Sequence, residues 1–247
     1  MAAPTLTVVA HRGASARSPE NTLAAFAGAI ALGVDVIESD VRATRDGALV
    51  LSHDADLFRL TGRPDKVEDL DLAAIRQIVV GTDAAHGEQT MPALGELLQA
   101  VGGRARILLD LKLPTGHERE VLGAVRAAGA EGTVIVGVRS VASLQAFKRV
   151  APRLPILAFG RSPEAVWEMA GVGADLVRLW SNWLDGDLLR RAGQLGKPVW
   201  IMCGTPAAGK IGETTLRELL AYRRGGAAGA ILNDPQLALR ANALATL

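Results

Sequence analysis

Several short strand-like runs of this sequence end in side chains that can transfer protons or bind cations. His11 and Arg12 come directly after the first of these runs, and Glu38 and Asp40 stand near the end of the second. His53 ends the third, and Asp110 and Lys112 stand at the end of the fourth. Imidazole titrates near neutral pH, so it can both accept and donate a proton. Clustered carboxylates are common ligands of hard divalent cations. The pattern predicts a site that combines acid–base catalysis with a bound metal ion.

The spacing within two of these runs places charged groups on one face of a strand. Side chains alternate between the faces of a strand, so Glu38 and Asp40 share a face, as do Asp110 and Lys112. Three converging carboxylates would repel one another and raise one another's pKa unless a divalent cation neutralised them. Because all three ligands are oxygen donors, one Mg²⁺ or Ca²⁺ ion is expected rather than zinc.

The histidines and the basic side chains complete a site suited to phosphoesters. One of His11 and His53 can accept a proton from a nucleophile while the other protonates a leaving group. Arg12 offers an anion a fork of donors, and Lys112 adds a point charge. Together with the metal ion, these groups would neutralise the charge that gathers on phosphoryl oxygens. Phosphoester cleavage is therefore the predicted chemistry.

Short β-branched runs alternate with longer Ala- and Leu-rich stretches along the chain, which predicts an α/β fold. The predicted strands are 6–10, 36–41, 49–53, 106–112, 133–138, 154–159, 174–179, 198–202 and 228–232. The predicted helices are 21–32, 92–101, 117–128, 140–150, 162–170, 185–195, 214–224 and 235–244. A parallel crossover does not fit in 43–48, which contains the turn signal Asp46-Gly47, so 36–41 and 49–53 are expected to form an antiparallel hairpin. The remaining eight strands and eight helices fit a (β/α)8 TIM barrel, with a doubly wound open sheet as the alternative.

A single domain over residues 1–247 is expected, because barrels of this length usually form one unit. Residues 54–90 are polar, contain one weak helix-like stretch at 72–80 and exceed an ordinary barrel loop in length. They are interpreted as an insertion after the hairpin. It either covers the substrate or packs on the side of the barrel.

The composition excludes several classes of protein. The 27 basic and 26 acidic residues give a net charge of +1, so no global charge favours nucleic acid. The single cysteine, Cys203, forms no internal disulfide, and no apolar run approaches the ~20 residues of a membrane helix. No signal peptide is recognisable at the first residues. A soluble, cytoplasmic protein without integral membrane association is expected, and its oligomeric state is left open.

Four ordered segments resemble the glycerophosphodiester phosphodiesterase family of PLC-like phosphodiesterase barrels. They are His11-Arg12-Gly13-Ala14, Pro19-Glu20-Asn21-Thr22, Glu38-Ser39-Asp40-Val41, and Asp46-Gly47 continuing into His53-Asp54. Further matches continue towards the C-terminus and become sparser after Val138. The resemblance implies a (β/α)8 barrel that hydrolyses a small-molecule glycerophosphodiester to glycerol 3-phosphate and an alcohol. In the mechanism usually proposed for the family, the glycerol hydroxyl attacks phosphorus and water then opens the cyclic phosphate.

The resemblance also implies roles for individual positions. His11 and His53 correspond to the general acid and base, and Lys112 to the active-site lysine. Glu38 and Asp40 correspond to metal ligands. Asp110 occupies the position of a third carboxylate ligand, which is commonly glutamate in the family.

The later strands depart from the usual family pattern, so the resemblance does not identify the alcohol that is released. Arg178 and Trp200 are candidates for substrate binding in these strands. Trp180, Trp183 and Trp200 could form an apolar rim, which keeps lysophospholipids open as alternative substrates for lysophospholipase D-type hydrolysis. A non-catalytic phosphoester-binding protein is an alternative of a different class. An unrelated barrel lyase with a Schiff-base lysine is a third, and it leaves the histidines unexplained.

Overall fold

A computed structural model describes residues 5–185 and 187–244 of the chain. Within these residues, the strands are β1 Thr7–Ala10, β2 Val36–Ala43, β3 Leu49–Leu51, β4 Val79–Asp83, β5 Gly87–Thr90, β6 Arg106–Leu111, β7 Val134–Val138, β8 Ile156–Ala158, β9 Leu176–Trp180, β10 Val199–Met202 and β11 Gly229–Leu232. The α-helices are α1 Leu23–Leu32, α2 Phe58–Thr61, α3 Leu72–Ile75, α4 Leu94–Val101, α5 Glu118–Ala127, α6 Val141–Val150, α7 Pro163–Gly171, α8 Leu188–Gly193, α9 Leu216–Arg224 and α10 Pro235–Ala243. Short 3₁₀ helices span Val67–Asp69, Ser181–Trp183 and Pro206–Ala208.

Eight parallel strands close into a barrel. Their order around the barrel is β1, β2, β6, β7, β8, β9, β10 and β11, and β11 pairs again with β1. Val9 of β1 has Val36 of β2 as its partner on one side and Ile231 of β11 on the other. This closure confirms the (β/α)8 barrel and excludes the open sheet. The predicted hairpin is also confirmed, because β3 pairs antiparallel with β2.

The two faces of the barrel strands separate as their alternation predicts. Ile37 and Leu109 pack outward in the large core between strands and helices. Val36 and Leu108, one residue earlier in each strand, pack inside the barrel. Glu38, Asp40 and Asp110 follow these inward positions at even spacing, so the barrel interior carries their side chains towards its C-terminal mouth.

Helix α1 begins at Leu23, two residues after the predicted start at residue 21. Thr22 is the N-cap, and its hydroxyl accepts a hydrogen bond from the Ala25 amide. Asn21 has a φ of 57° in the left-handed region, and its side chain turns towards the second strand instead. Helix α7 is capped by Ser162, whose hydroxyl accepts from the Ala165 amide, and Pro163 follows at the first helical position.

The segment 54–90 contains more structure than its polar sequence indicates. The expected helix over 72–80 is limited to Leu72–Ile75, and Val79–Asp83 and Gly87–Thr90 form a small antiparallel pair. The Asp83 carboxylate holds the turn between them by accepting from the amides of Ala85 and His86. The segment has its own apolar cluster, which also includes Val50 and Met91 at its flanks.

Residues 54–90 therefore pack around their own apolar cluster beside the hairpin. No helix in the described part of the chain is long and apolar enough to cross a membrane.

Candidate active site

A cavity of about 190 Å³ lies inside the barrel at the C-terminal ends of its strands. It is lined by His11, Arg12, Glu38, Asp40, His53, Asp110, Lys112, Arg139, Phe159, Arg178, Trp180, Met202, Pro206, Ile211 and Ile231. Eight of the nine side chains proposed from the sequence thus line one cavity. This position, at the carboxyl ends of the strands, is where barrel enzymes carry their reactive groups.

Three buried carboxylates meet in this cavity. Ligand oxygens of Glu38, Asp40 and Asp110 all lie within 4.8 Å of one another. Lys112 Nζ lies 2.9 Å from Asp40 Oδ1 and 2.6 Å from Asp110 Oδ2. Arg12 Nε lies 3.2 Å from Asp40 Oδ2, so the cluster is held between basic side chains.

The carboxylates differ in how their charges are compensated. Burial raises the pKa of Glu38 well above its ordinary value, and the charges of Asp40 and Asp110 add to this rise. Burial also opposes ionisation of Asp40, but Lys112 and Arg12 outweigh it and hold its pKa below the usual range. The cluster therefore retains negative charge at neutral pH, and a further cation would stabilise the ionised form of Glu38.

Asn21 fixes the orientation of Asp40. Its Nδ2 donates to Asp40 Oδ2 at 3.0 Å, and its Oδ1 accepts from Ser39 Oγ at 2.7 Å and from the Asp40 amide at 3.2 Å. A short amide side chain tolerates the left-handed backbone of this position better than most residues do. The backbone amide of Arg12, which also has a positive φ, donates to Glu38 Oε2 at 2.8 Å.

His11 presents one nitrogen as a base. Its Nδ1 is 2.7 Å from Asn233 Oδ1, while Asn233 Nδ2 donates to the Ile211 carbonyl at 2.8 Å. Because the amide oxygen can only accept, Nδ1 carries the proton and Nε2 is the basic nitrogen. Burial, with the nearby charge of Arg12, lowers the pKa of His11 to about 4, so the ring is neutral at pH 7.

His53 has a carboxylate partner instead. Its Nδ1 lies 2.7 Å from Asp54 Oδ1, and Asp54 accepts from Arg59 Nε at 2.6 Å. Arg59 also donates to Glu20 at 2.6 Å, and Glu20 pairs with Arg12 at 2.8 Å. Burial lowers the pKa of His53, whereas Asp40 and the Asp54 hydrogen bond favour its cation. Through Arg59, this network of ion pairs connects His53 and Arg12 to the segment 54–90.

The two residues proposed for substrate binding in the later strands lie at different depths. Arg178 lines the cavity. Trp200 does not: it packs inside the barrel below the cavity, where Gly229 leaves room for its ring. Met202, two residues further along the same strand, takes the place at the cavity. Because alternate residues share the inward face, the sequence identified the correct face but the wrong level of the barrel.

Arg139 is a cavity residue that the sequence analysis did not identify. It follows β7 directly and pairs with Asp110 through both terminal nitrogens. Phe159, just after β8, lies under its guanidinium at 5.3 Å from the ring centroid. The strand-end rule that found the other polar side chains also applies to Val138-Arg139, so the signal was present in the sequence.

Comparison with known proteins agrees with this geometry. The sequence profile described as "Glycerophosphoryl diester phosphodiesterase family" matches residues 11–190. A Mycobacterium tuberculosis protein assigned as glycerophosphodiester phosphodiesterase 1 is 34% identical over 193 residues, covering 69% of this chain and 70% of that protein. The protein described here therefore belongs to the glycerophosphoryl diester phosphodiesterase family. This membership confirms the resemblance seen in the sequence and the expectation of an enzyme.

Solved structures show the same architecture. A Silicibacter pomeroyi protein assigned to this family superimposes with a TM-score of 0.83 and 26% identity, over 99% of this chain and 95% of that one. An Oleispira antarctica phosphodiesterase, solved in complex with the product sn-glycerol-3-phosphate, superimposes with a TM-score of 0.80 and 21% identity. That match covers 96% of each chain and supports the fold.

Proposed function

We propose that this enzyme hydrolyses glycerophosphodiesters to glycerol 3-phosphate and an alcohol, with one divalent cation and two histidines. The observation that carries the proposal is the convergence of three buried carboxylates and both histidines on one cavity. Family membership supports the reaction class. The Oleispira antarctica relative, with its bound product, supports glycerol 3-phosphate as the product here. No feature of the cavity favours lysophospholipids over small diesters.

The carboxylate cluster fits a divalent cation. Asp40 Oδ1 is buried and accepts no hydrogen bond, although Lys112 Nζ stands 2.9 Å away. Glu38, Asp40 and Asp110 together supply only oxygen donors, which suits Mg²⁺ or Ca²⁺. When bound, such an ion neutralises charge on the phosphoryl oxygens. Asp110 is one methylene shorter than the glutamate common in the family, so we expect weaker binding on its side of the cluster.

The two histidines divide the proton transfers between them. His11, whose partner is a neutral amide, takes the proton of the attacking glycerol hydroxyl on Nε2 as the oxygen bonds to phosphorus. His53, whose partner is the Asp54 carboxylate, is suited to carry a positive charge and gives its proton to the departing alcohol oxygen. A cyclic phosphate and the free alcohol result.

Water then opens the cyclic phosphate with the roles reversed. His53, now neutral, removes a proton from water as its oxygen attacks phosphorus, and His11 returns its proton to the glycerol oxygen that leaves. Both histidines are thereby restored. Arg12 and Lys112 line the same cavity and hold the non-bridging oxygens.

Phosphorus NMR of the reaction tests these roles. We expect His11→Ala and His53→Ala each to lower kcat by 10²- to 10⁴-fold, the usual contribution of a positioned acid or base. The control is His86→Ala, because His86 lies in the exposed turn after β4. Wild-type kcat in both active-site variants, with the metal ion present, would contradict the assignment.

A further inference from the structure

Arg178 stands on the side of the barrel opposite Glu38 and Asp40. Its strand, β9, is four strands from β2 in either direction around the barrel. Glu38 and Asp40 extend from β2, and His11 from the neighbouring β1. The cavity thus has a catalytic wall and a far wall, and Arg178 belongs to the far wall.

Arg178 is a buried cation that has no carboxylate partner among the described residues. It is 4% exposed, and its Nε and Nη1 atoms are buried and donate no hydrogen bond. Arg12, Lys112 and Arg139 each pair with a carboxylate of the site. No carboxylate of residues 5–185 and 187–244 forms an ion pair with Arg178. Burial lowers the pKa of Arg178 to about 9, and the charge of Asp110 only partly offsets this desolvation. Burial of a charge without a counter-ion is costly, which indicates that Arg178 interacts with a bound ligand.

Aromatic rings hold this guanidinium in place. Its central carbon lies 4.6 Å from the ring centroid of Trp180, 5.1 Å from that of Phe159 and 5.5 Å from that of Trp183. Such rings attract a cation but cannot accept the in-plane hydrogen bonds of a guanidinium. They orient Arg178 and leave its donors for an anion in the cavity.

We propose that the far wall binds an anionic group on the leaving alcohol, such as a carboxylate, so that the enzyme prefers glycerophosphodiesters with an acidic head group. This inference rests on the proposed function, which puts the scissile phosphate beside the catalytic wall. Glycerol carries no charge, so of the two substituents on phosphorus only the alcohol can supply a counter-ion. A planar carboxylate matches the fork of a guanidinium.

The same wall disfavours cationic head groups. Aromatic rings at a cavity can suit a quaternary ammonium group, but here Arg178 already occupies the space between Phe159, Trp180 and Trp183. A choline or ethanolamine group would meet a like charge in a desolvated pocket. Selectivity therefore comes from repulsion as well as from attraction.

Glycerophosphoserine and glycerophosphoethanolamine form a matched pair of substrates, because they differ only in the carboxylate of serine. We expect wild-type kcat/KM to be at least tenfold higher for the serine ester. Arg178→Met, which keeps an unbranched apolar side chain but removes the guanidinium, should lower kcat/KM for the serine ester at least tenfold more than for the ethanolamine ester. Arg178→Lys, which keeps the charge, should retain part of the preference. Arg161→Met is the control, because Arg161 lines a neighbouring groove, and it should leave the ratio unchanged.

The outcomes separate this inference from the function on which it rests. Equal wild-type kcat/KM for the two esters overturns the inference and leaves the phosphodiesterase function intact. An equal loss on both esters in Arg178→Met also overturns it, because Arg178 would then serve the shared phosphate or the fold. If no glycerol 3-phosphate is released from either ester, nor from glycerophosphoglycerol, whose head group is uncharged, the proposed function itself is contradicted. Circular dichroism checks that each variant is folded, and the wild-type ratio decides the inference even if Arg178→Met does not fold.

Discussion

Replacement of Asn21 by alanine removes three hydrogen bonds from the interior of the site. The Ser39 hydroxyl and the Asp40 amide lose their acceptor, and the Asp40 carboxylate loses a donor. Each buried polar group left unsatisfied costs about 1–3 kcal/mol. Alanine at a φ of 57° adds about 1 kcal/mol, because it lacks the short polar side chain whose local hydrogen bonds make the left-handed region accessible to asparagine. Because the Asp40 carboxylate keeps its ion pairs with Arg12 and Lys112, only the Ser39 hydroxyl and the Asp40 amide are left unsatisfied. We therefore expect a total loss of at least about 3 kcal/mol in the free energy of unfolding.

Urea denaturation followed by circular dichroism measures this loss. Asn182→Ala, at an exposed asparagine, is the matched control and should change the free energy of unfolding by less than about 0.5 kcal/mol. We also expect kcat of Asn21→Ala to fall, because the Asp40 carboxylate is no longer held in place. A loss of stability below 1 kcal/mol with full activity would refute the assignment of Asn21 as the residue that positions Asp40.

Three further predictions concern buried residues of the barrel. The folded protein should lose about 2 kcal/mol of stability between pH 8 and pH 5, because unfolded His11 takes up a proton near pH 6.5 and the buried ring only near pH 4. Urea titrations at the two pH values measure this loss, and His11→Asn should abolish that part of it. Gly137→Ala should destabilise the fold by about 1–3 kcal/mol in the same assay, because its Cβ would overlap the Phe159 ring; unchanged stability would show that the ring moves freely. Cys203 is fully buried and burial raises its thiol pKa to about 12, so iodoacetamide at pH 8 should label it only in denaturant, as mass spectrometry can show; rapid labelling of the native protein would contradict its burial.

Much of the fold could be predicted because strand and helix periodicity is a local property of this sequence. The hairpin after β2 was recognisable from Asp46-Gly47, and the alternation within β2 and β6 assigned Glu38 and Asp110 to the inward face. The small sheet within 54–90 was not recognisable. Its strands, Val79–Asp83 and Gly87–Thr90, are partly polar. They form contacts with residues that are distant in sequence, such as the hydrogen bond that Ser18 donates to Asp83.

The site was predictable to the extent that its residues follow strand ends. Trp200 shows the limit of the rule, because alternation gives the face of a residue and not its height in a tilted barrel. Asn21 shows another limit: its type suits a helix cap, and only the tertiary fold brings it to Asp40. The isolation of Arg178 is likewise a property of all the surrounding strands, so no local pattern could have indicated it.

Release of glycerol 3-phosphate from glycerophosphodiesters is the measurement that tests the proposed function most directly. Wild-type protein would be assayed after treatment with chelator, and again after Mg²⁺ or Ca²⁺ is restored. We expect release with at least one of these ions, little release with chelator, and loss of release in Asp40→Asn, which removes a charge from the carboxylate cluster. Undiminished release in chelator would contradict the metal site, and no release from folded protein with either ion would contradict the proposed reaction.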